Sequence, residues 1–185
     1  MPDESEKTAL LRIARKTISE GCTRDLPPEP DLQDQPERFC QPAACFVTLH
    51  KHGALRGCIG STVAHRSLLE DVVHNAFASA FRDSRFPPVT ESELSEIRIE
   101  ISLLTPQQRL TVTSEDDLLQ TIRPGIDGLL IRNARHSATF LPQVWQQLPD
   151  PRQFLQRLKI KAGMAPGEWP DDMECFCYQC VKFAE

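Results

Sequence analysis

The stretch from Glu96 to Leu104 limits the fold more than any other part of this chain. Ile97, Ile99, Ile101 and Leu103 alternate with Glu96, Arg98, Glu100 and Ser102. In an extended backbone every large apolar side chain then falls on one face and every polar one on the other. A strand of this kind needs sheet neighbours and a second layer over its apolar face.

The rest of the sequence supplies both. Ala44 to Lys51 alternates with Cys45, Val47 and Leu49 on one face, and the pattern resumes at Ala54 after His52-Gly53, which predicts a β-hairpin. A two-residue turn there sets Val47 opposite Cys58 and sends His50 to the other face. One more turn residue sets Phe46 opposite Cys58 and returns His50 to its side. Ser67 with Glu70 forms a capping box for a helix of about four turns carrying Leu68, Leu69, Val72, Val73, Ala76 and Ala80. Pro87 and Pro88 forbid its continuation past Asp83-Ser84-Arg85-Phe86.

Leu10, Leu11, Ala14 and Ile18 mark an N-terminal helix over 4–20. Residues 21–39, with Pro27, Pro28, Pro30 and Pro36, read as an extended surface connection. Further on, Thr90 with Glu93 and Ser114 with Asp117 each cap a helix, and Gly128 to Ile131 pairs with Ala138 to Leu141 around Asn133–His136. Asp150-Pro151 opens a helix that stops at Gly163, and Met173 to Phe183 reads as one final strand. The predicted class is α+β: a single two-lobed domain over 1–185 built on an antiparallel sheet with packed helices.

Composition narrows the function classes. With 21 Lys and Arg against 26 Asp and Glu, the net charge of -5 gives no global attraction to nucleic acid. No apolar run approaches the ~20 residues of a membrane span, and the acidic start Met1-Pro2-Asp3-Glu4 differs from a signal peptide. A cytoplasmic protein without membrane or nucleic-acid partners is expected. Seven irregularly spaced cysteines suit reduced thiols there.

The hexapeptide Leu55-Arg56-Gly57-Cys58-Ile59-Gly60, followed by Ser61, sets one thiol between two glycines that permit close backbone approach. Arg56 and Cys58, two apart on a strand, share a face with Cα atoms ~7 Å apart. A guanidinium over the sulfur would favour the thiolate. The alternative is that Cys58 fills space under a glycine turn while Arg56 pairs with an acid such as Glu100. His50, His52 and His65 are possible bases for a Cys-His pair, or solvated loop histidines.

Cys175, Cys177 and Cys180 resemble half of a zinc site, but one continuous strand puts Cys180 on the face opposite the other two, so no metal and no other cofactor is expected. Nucleotide-binding glycine motifs are absent from the sequence.

The Leu55–Gly60 stretch resembles the signature of the AmmeMemoRadiSam system protein A family, the AMMECR-type domain. Other blocks resemble the family in the same order: Asp83–Pro88, with Ser84 in place of a usual proline; Glu96–Ser102; Gly125–Leu130; Leu141–Val144; Phe154-Leu155; and Lys161–Gly163. Departures fall at Asn133–Phe140 and at Lys159, where some relatives carry a cysteine. The resemblance implies a cleft between two lobes beside Cys58, and an association with a Memo-like protein and a radical SAM enzyme.

On this reading Cys58, Arg56 and Glu100 are the catalytic candidates. Gly57, Gly60, Ser61, Asp83, Arg85, Gln143 and Lys161 are the candidates for binding an unidentified small molecule or protein. Two functions stand side by side: a thiol-dependent enzyme or enzyme component, and a non-catalytic binding module that uses the Leu55–Gly60 loop.

Overall fold

A computed structural model describes residues 2–185. In chain order the elements are α1 (Glu4–Gly21), α2 (Glu37–Cys40), β1 (Pro42–Ala43), β2 (Cys45–Lys51), β3 (Ala54–Gly60), β4 (Arg66–Ser67), α3 (Leu68–Phe81), β5 (Ile97–Leu104), β6 (Gln108–Leu110), α4 (Glu115–Thr121), β7 (Gly128–Arg132), β8 (Ser137–Phe140), α5 (Pro151–Lys161), β9 (Glu174–Tyr178) and β10 (Cys180–Ala184). Short 3-10 turns cover Glu91–Glu93 and Pro142–Gln146. The architecture is α+β, and the chain divides into two compact units, Met1–Leu104 with Val181–Glu185, and Thr105–Cys180.

The first unit is organised by a four-stranded sheet in the order β10-β5-β2-β3, in which β2 runs antiparallel to both β3 and β5. Its apolar face is the one the alternation predicts. Ile97, Ile99, Ile101 and Leu103 join Cys45, Val47 and Leu49 against α3 and α1 in one buried core. Helix α3 begins at the expected capping box, with Ser67 Oγ accepting from the Glu70 N–H and the Glu70 carboxylate accepting from the Ser67 N–H. An equivalent box, Asp3 with Glu6, opens α1.

The connection over 21–39 is more than surface linkage. It ends in α2, and Phe39 is buried in the first core. A single aromatic residue among prolines and charges has no periodicity to reveal it.

The second unit holds the sheet β6-β9-β7-β8, with α4 and α5 contributing to its core and Trp145 stacked on Phe154 at 3.7 Å. The strand expected over Met173–Phe183 is broken. Gln179 leaves the ladder, its N–H donating to Thr105 Oγ1 at 2.8 Å and its carbonyl accepting from the Thr105 N–H at 2.8 Å, so β9 and β10 belong to different sheets. Among the described residues no helix is long and apolar enough to cross a membrane.

Ile99 has no solvent exposure at the centre of the first core. Ile99→Asp would bury an unpaired charge there. Its expected outcome is loss of the cooperative thermal transition followed by circular dichroism; a native-like transition would mean that the core face is wrongly assigned.

Candidate functional site

The hairpin of β2 and β3 turns at His52 and Gly53, both with positive φ, as the two-residue turn requires. Its register matches neither expected alternative. Lys51 faces Ala54 and His50 faces Leu55, but Leu49 then faces Gly57, which leaves Arg56 as the extra residue of a β-bulge. The shift by one residue sets Thr48 opposite Cys58. Thr48 Oγ1 lies 3.3 Å from Cys58 Sγ, and on its other side Thr48 faces Glu100 of β5.

Arg56 is buried and is bound in the sense of the bland alternative, though to a different acid. Its Nε and Nη2 donate to the two Glu93 carboxylate oxygens at 3.1 and 3.0 Å, and Nη2 also reaches the Pro88 carbonyl at 3.4 Å. This bidentate pair holds the Glu93 carboxyl down at about 2, with help from the Thr90 N–H and Lys51. Lys51 in turn joins Glu93 at 3.1 Å and Glu96 at 2.7 Å.

The glycines of the hexapeptide are both explained by packing. A Cβ on Gly57 would lie 2.1 Å from the Ser79 carbonyl oxygen of α3, and one on Gly60 would lie 2.2 Å from the Phe46 ring. The first seats the strand on the helix; the second lets the ring lie across the strand.

Asp83 and Arg85 meet Cys58 through its backbone. The Cys58 N–H donates to Asp83 Oδ2 at 2.9 Å, and Arg85 Nη2 donates to the Cys58 carbonyl at 3.1 Å and to Asp83 at 2.6 Å. Arg85, and then the Cys58 N–H, keep the buried Asp83 carboxyl well below the usual carboxylate range. Since β3 ends the sheet order, this pair occupies edge groups that another strand could otherwise engage.

Ser61 belongs to a buried polar cluster. Its Oγ donates to Asp71 at 2.7 Å, and Asp71 also accepts from the Cys45 N–H and from Asn75. The other two expected residues lie in the second unit, where Gln143 is exposed in the Pro142–Gln146 turn and Lys161 Nζ donates to the Thr139 carbonyl at 2.9 Å.

The first unit therefore brings Cys58, Gly57, Gly60, Ser61, Asp83 and Arg85 together along β3, with Arg56 tied to Glu93. Glu100 stands two strand spacings from Cys58, ~10 Å away, with Thr48 between them and Lys182 at 3.3 Å beyond. Thr48, Glu93 and Asp71 are contributors that sequence reasoning missed. Only the bulge reveals the first, and nothing in the spacing of the others distinguishes them from capping or helical surface residues.

Cys175 and Cys177 share β9. Burial pushes the Cys175 thiol up to about 12 and raises that of Cys177, which favours the neutral thiol at both. Among the described residues no cluster of three or more His, Cys, Asp or Glu side chains could hold a metal ion.

With this geometry established, the comparisons with known proteins decide the family. The AMMECR1 family model matches residues 11–183. The chain belongs to the AMMECR1 family. It is 38% identical to a Methanothermobacter thermautotrophicus protein over 97% of this chain and 94% of that one, and 33% identical to a Methanosarcina barkeri protein over 100% and 93%. The crystal structure of an uncharacterized protein from Pyrococcus horikoshii superposes with a TM-score of 0.80 at 33% identity, covering 96% of this chain and 90% of that one. The Pyrococcus horikoshii protein shares the fold of this AMMECR1-family chain.

Two measurements test the roles assigned to the signature. Gly57→Ala should cost at least about 2 kcal/mol in urea unfolding, because the obstructing atom is a backbone oxygen that cannot swing aside; a near-neutral effect would show that the helix and strand can separate at little cost. Glu93 has a folded pKa depressed below its ordinary value of 4.5, so its stabilisation is present above about 4.5 and lost as pH falls toward about 2. The stability gap between the native chain and Glu93→Gln should accordingly narrow on acidification from pH 6 to pH 3. A gap independent of pH would contradict the ion pair.

Proposed function

We propose that this AMMECR1-family chain is a binding module whose receptive surface is the outer face of β2, β3 and β5 around Cys58, with the thiol serving as a contact group. The observation that carries this reading is the engagement of Arg56 by Glu93. The cation that could have activated the sulfur is committed elsewhere, and the glycines answer to Ser79 and Phe46. With the motif's peculiarities used to hold the hairpin, the polar row Cys58, Thr48, Glu100 and Lys182 is left facing outward for recognition.

One observation favours a second reading. The Thr48 hydroxyl, 3.3 Å from a half-buried sulfur, can donate to a thiolate and would support a thiol-dependent enzyme in which Glu100 moves protons across a bound substrate. In either case the family resemblance makes a Memo-like protein and a radical SAM enzyme the first partners to try, within a cytoplasmic setting.

Alkylation by iodoacetamide near neutral pH separates the two. A binding module should show Cys58 reacting no faster than the exposed Cys40, with Arg56→Leu lowering stability in urea and leaving the Cys58 rate unchanged below its unfolding midpoint. Cys58 labelling more than tenfold faster than Cys40, and slowed to the same degree by Thr48→Val, would overturn the module reading in favour of thiol chemistry.

A further inference from the structure

A groove of about 380 Å³ opens on the first unit beside the β2–β3 turn, lined by His50, His52, Glu96, Arg98, Glu100 and Glu185, with Gly53, Ile99 and Ala184 completing the wall. Its size is at the lower end of the range for small-molecule sites. Three carboxylates at first suggest a place for cations. Each already has a cation of the protein's own: Glu96 has Lys51 at 2.7 Å, Glu100 has Lys182 at 3.3 Å, and Glu185 has Arg15, whose Nε donates to it at 3.0 Å. Glu185 also accepts from the Ile99 N–H.

Once those pairs are set aside, the remaining fixed charge in the groove is positive. The Arg98 side chain is exposed and makes no ion pair or hydrogen bond among the described residues. It stands directly opposite His50 across the β2–β5 ladder, where Cβ atoms are about 5 Å apart. His50 reaches this face through the alternation of β2, in which Val47 and Leu49 are buried on the other side. His52, at the rim, lies 3.5 Å from Glu96 and is thereby oriented to the acid. The groove thus offers a planar guanidinium fork and a second ring donor side by side, a pair suited to two oxygens of one oxyanion.

We infer that this groove binds the carboxylate or phosphate group of a small organic anion, with Arg98 as the principal contact and His50 as the second donor. The site lies beyond the Cys58 row, sharing Glu100 with it, and does not depend on the role proposed for the thiol. The flanking glutamates supply selectivity: a compact oxyanion fits between their paired positions, while an extended polyanion meets Glu96, Glu100 and Glu185 together.

The test is titration of isotopically labelled protein with inorganic phosphate and, separately, with acetate, at constant ionic strength set by sodium chloride, following the His50 ring and Arg98 guanidinium NMR resonances. Saturable shifts of both residues with a millimolar Kd are expected. Affinity should fall at least tenfold in Arg98→Gln and stay within twofold in Cys58→Ser. A stronger response to phosphate would assign a phosphate ester, and a stronger response to acetate a carboxylate. Shifts that rise linearly without saturating, that persist unchanged in Arg98→Gln, or that vanish in Cys58→Ser would overturn the inference.

Discussion

The bulge at Arg56 is the constraint on which the rest of the site depends. By inserting one unpaired residue between the Leu49–Gly57 and His50–Leu55 pairs, it exchanges the faces on which one end of β3 meets β2. Beyond it Gly57 is directed to α3, while Cys58 lies beside Thr48 on the outer face. Without it Val47, a core residue with no exposure, would oppose Cys58, and the thiol would be drawn to the buried side. The ion pair of Arg56 with Glu93 holds the irregular residue in place, and the desolvation of the two charges is offset by their bidentate geometry with support from Lys51, the Thr90 N–H and the Pro88 carbonyl.

Around that irregularity, two polar devices fix β3 from opposite directions. Asp83 and Arg85 satisfy the backbone of Cys58 along the free edge. At the far end the buried Asp71 of α3 gathers the Cys45 N–H, the Ser61 hydroxyl and the Asn75 amide, so the strand ends and the helix are bonded to one carboxylate. The hexapeptide is thereby held along its free edge, and the residue after it at its end, by groups apart from it in sequence. This rigidity suits a surface that presents fixed side chains, and it explains why two of its residues carry no side chain.

The outer face inherits its chemistry from the same register. Thr48 and His50 alternate with the buried Val47 and Leu49, and their β5 partners are Glu100 and Arg98. One polar row therefore contains the thiol, and the next contains the histidine and the exposed guanidinium. Both rows are consequences of an alternation whose apolar half builds the core.

The sequence by itself determined the strands β2, β3 and β5, the capped helix α3, the α+β class and the core face. These follow from side-chain period and local capping, which act within a few residues. It also marked Cys58, Asp83 and Arg85 as belonging to one family signature. What only the tertiary structure decided is which groups meet: that Arg56 takes Glu93 and leaves the sulfur to Thr48, that Phe39 enters the core from a proline-rich stretch, and that Gln179 splits the last strand between two sheets. The physical reason is that a bulge, an ion pair between residues 37 apart and a strand break bonded by Thr105 are settled by distant partners. Alternation and capping carry no information about those partners.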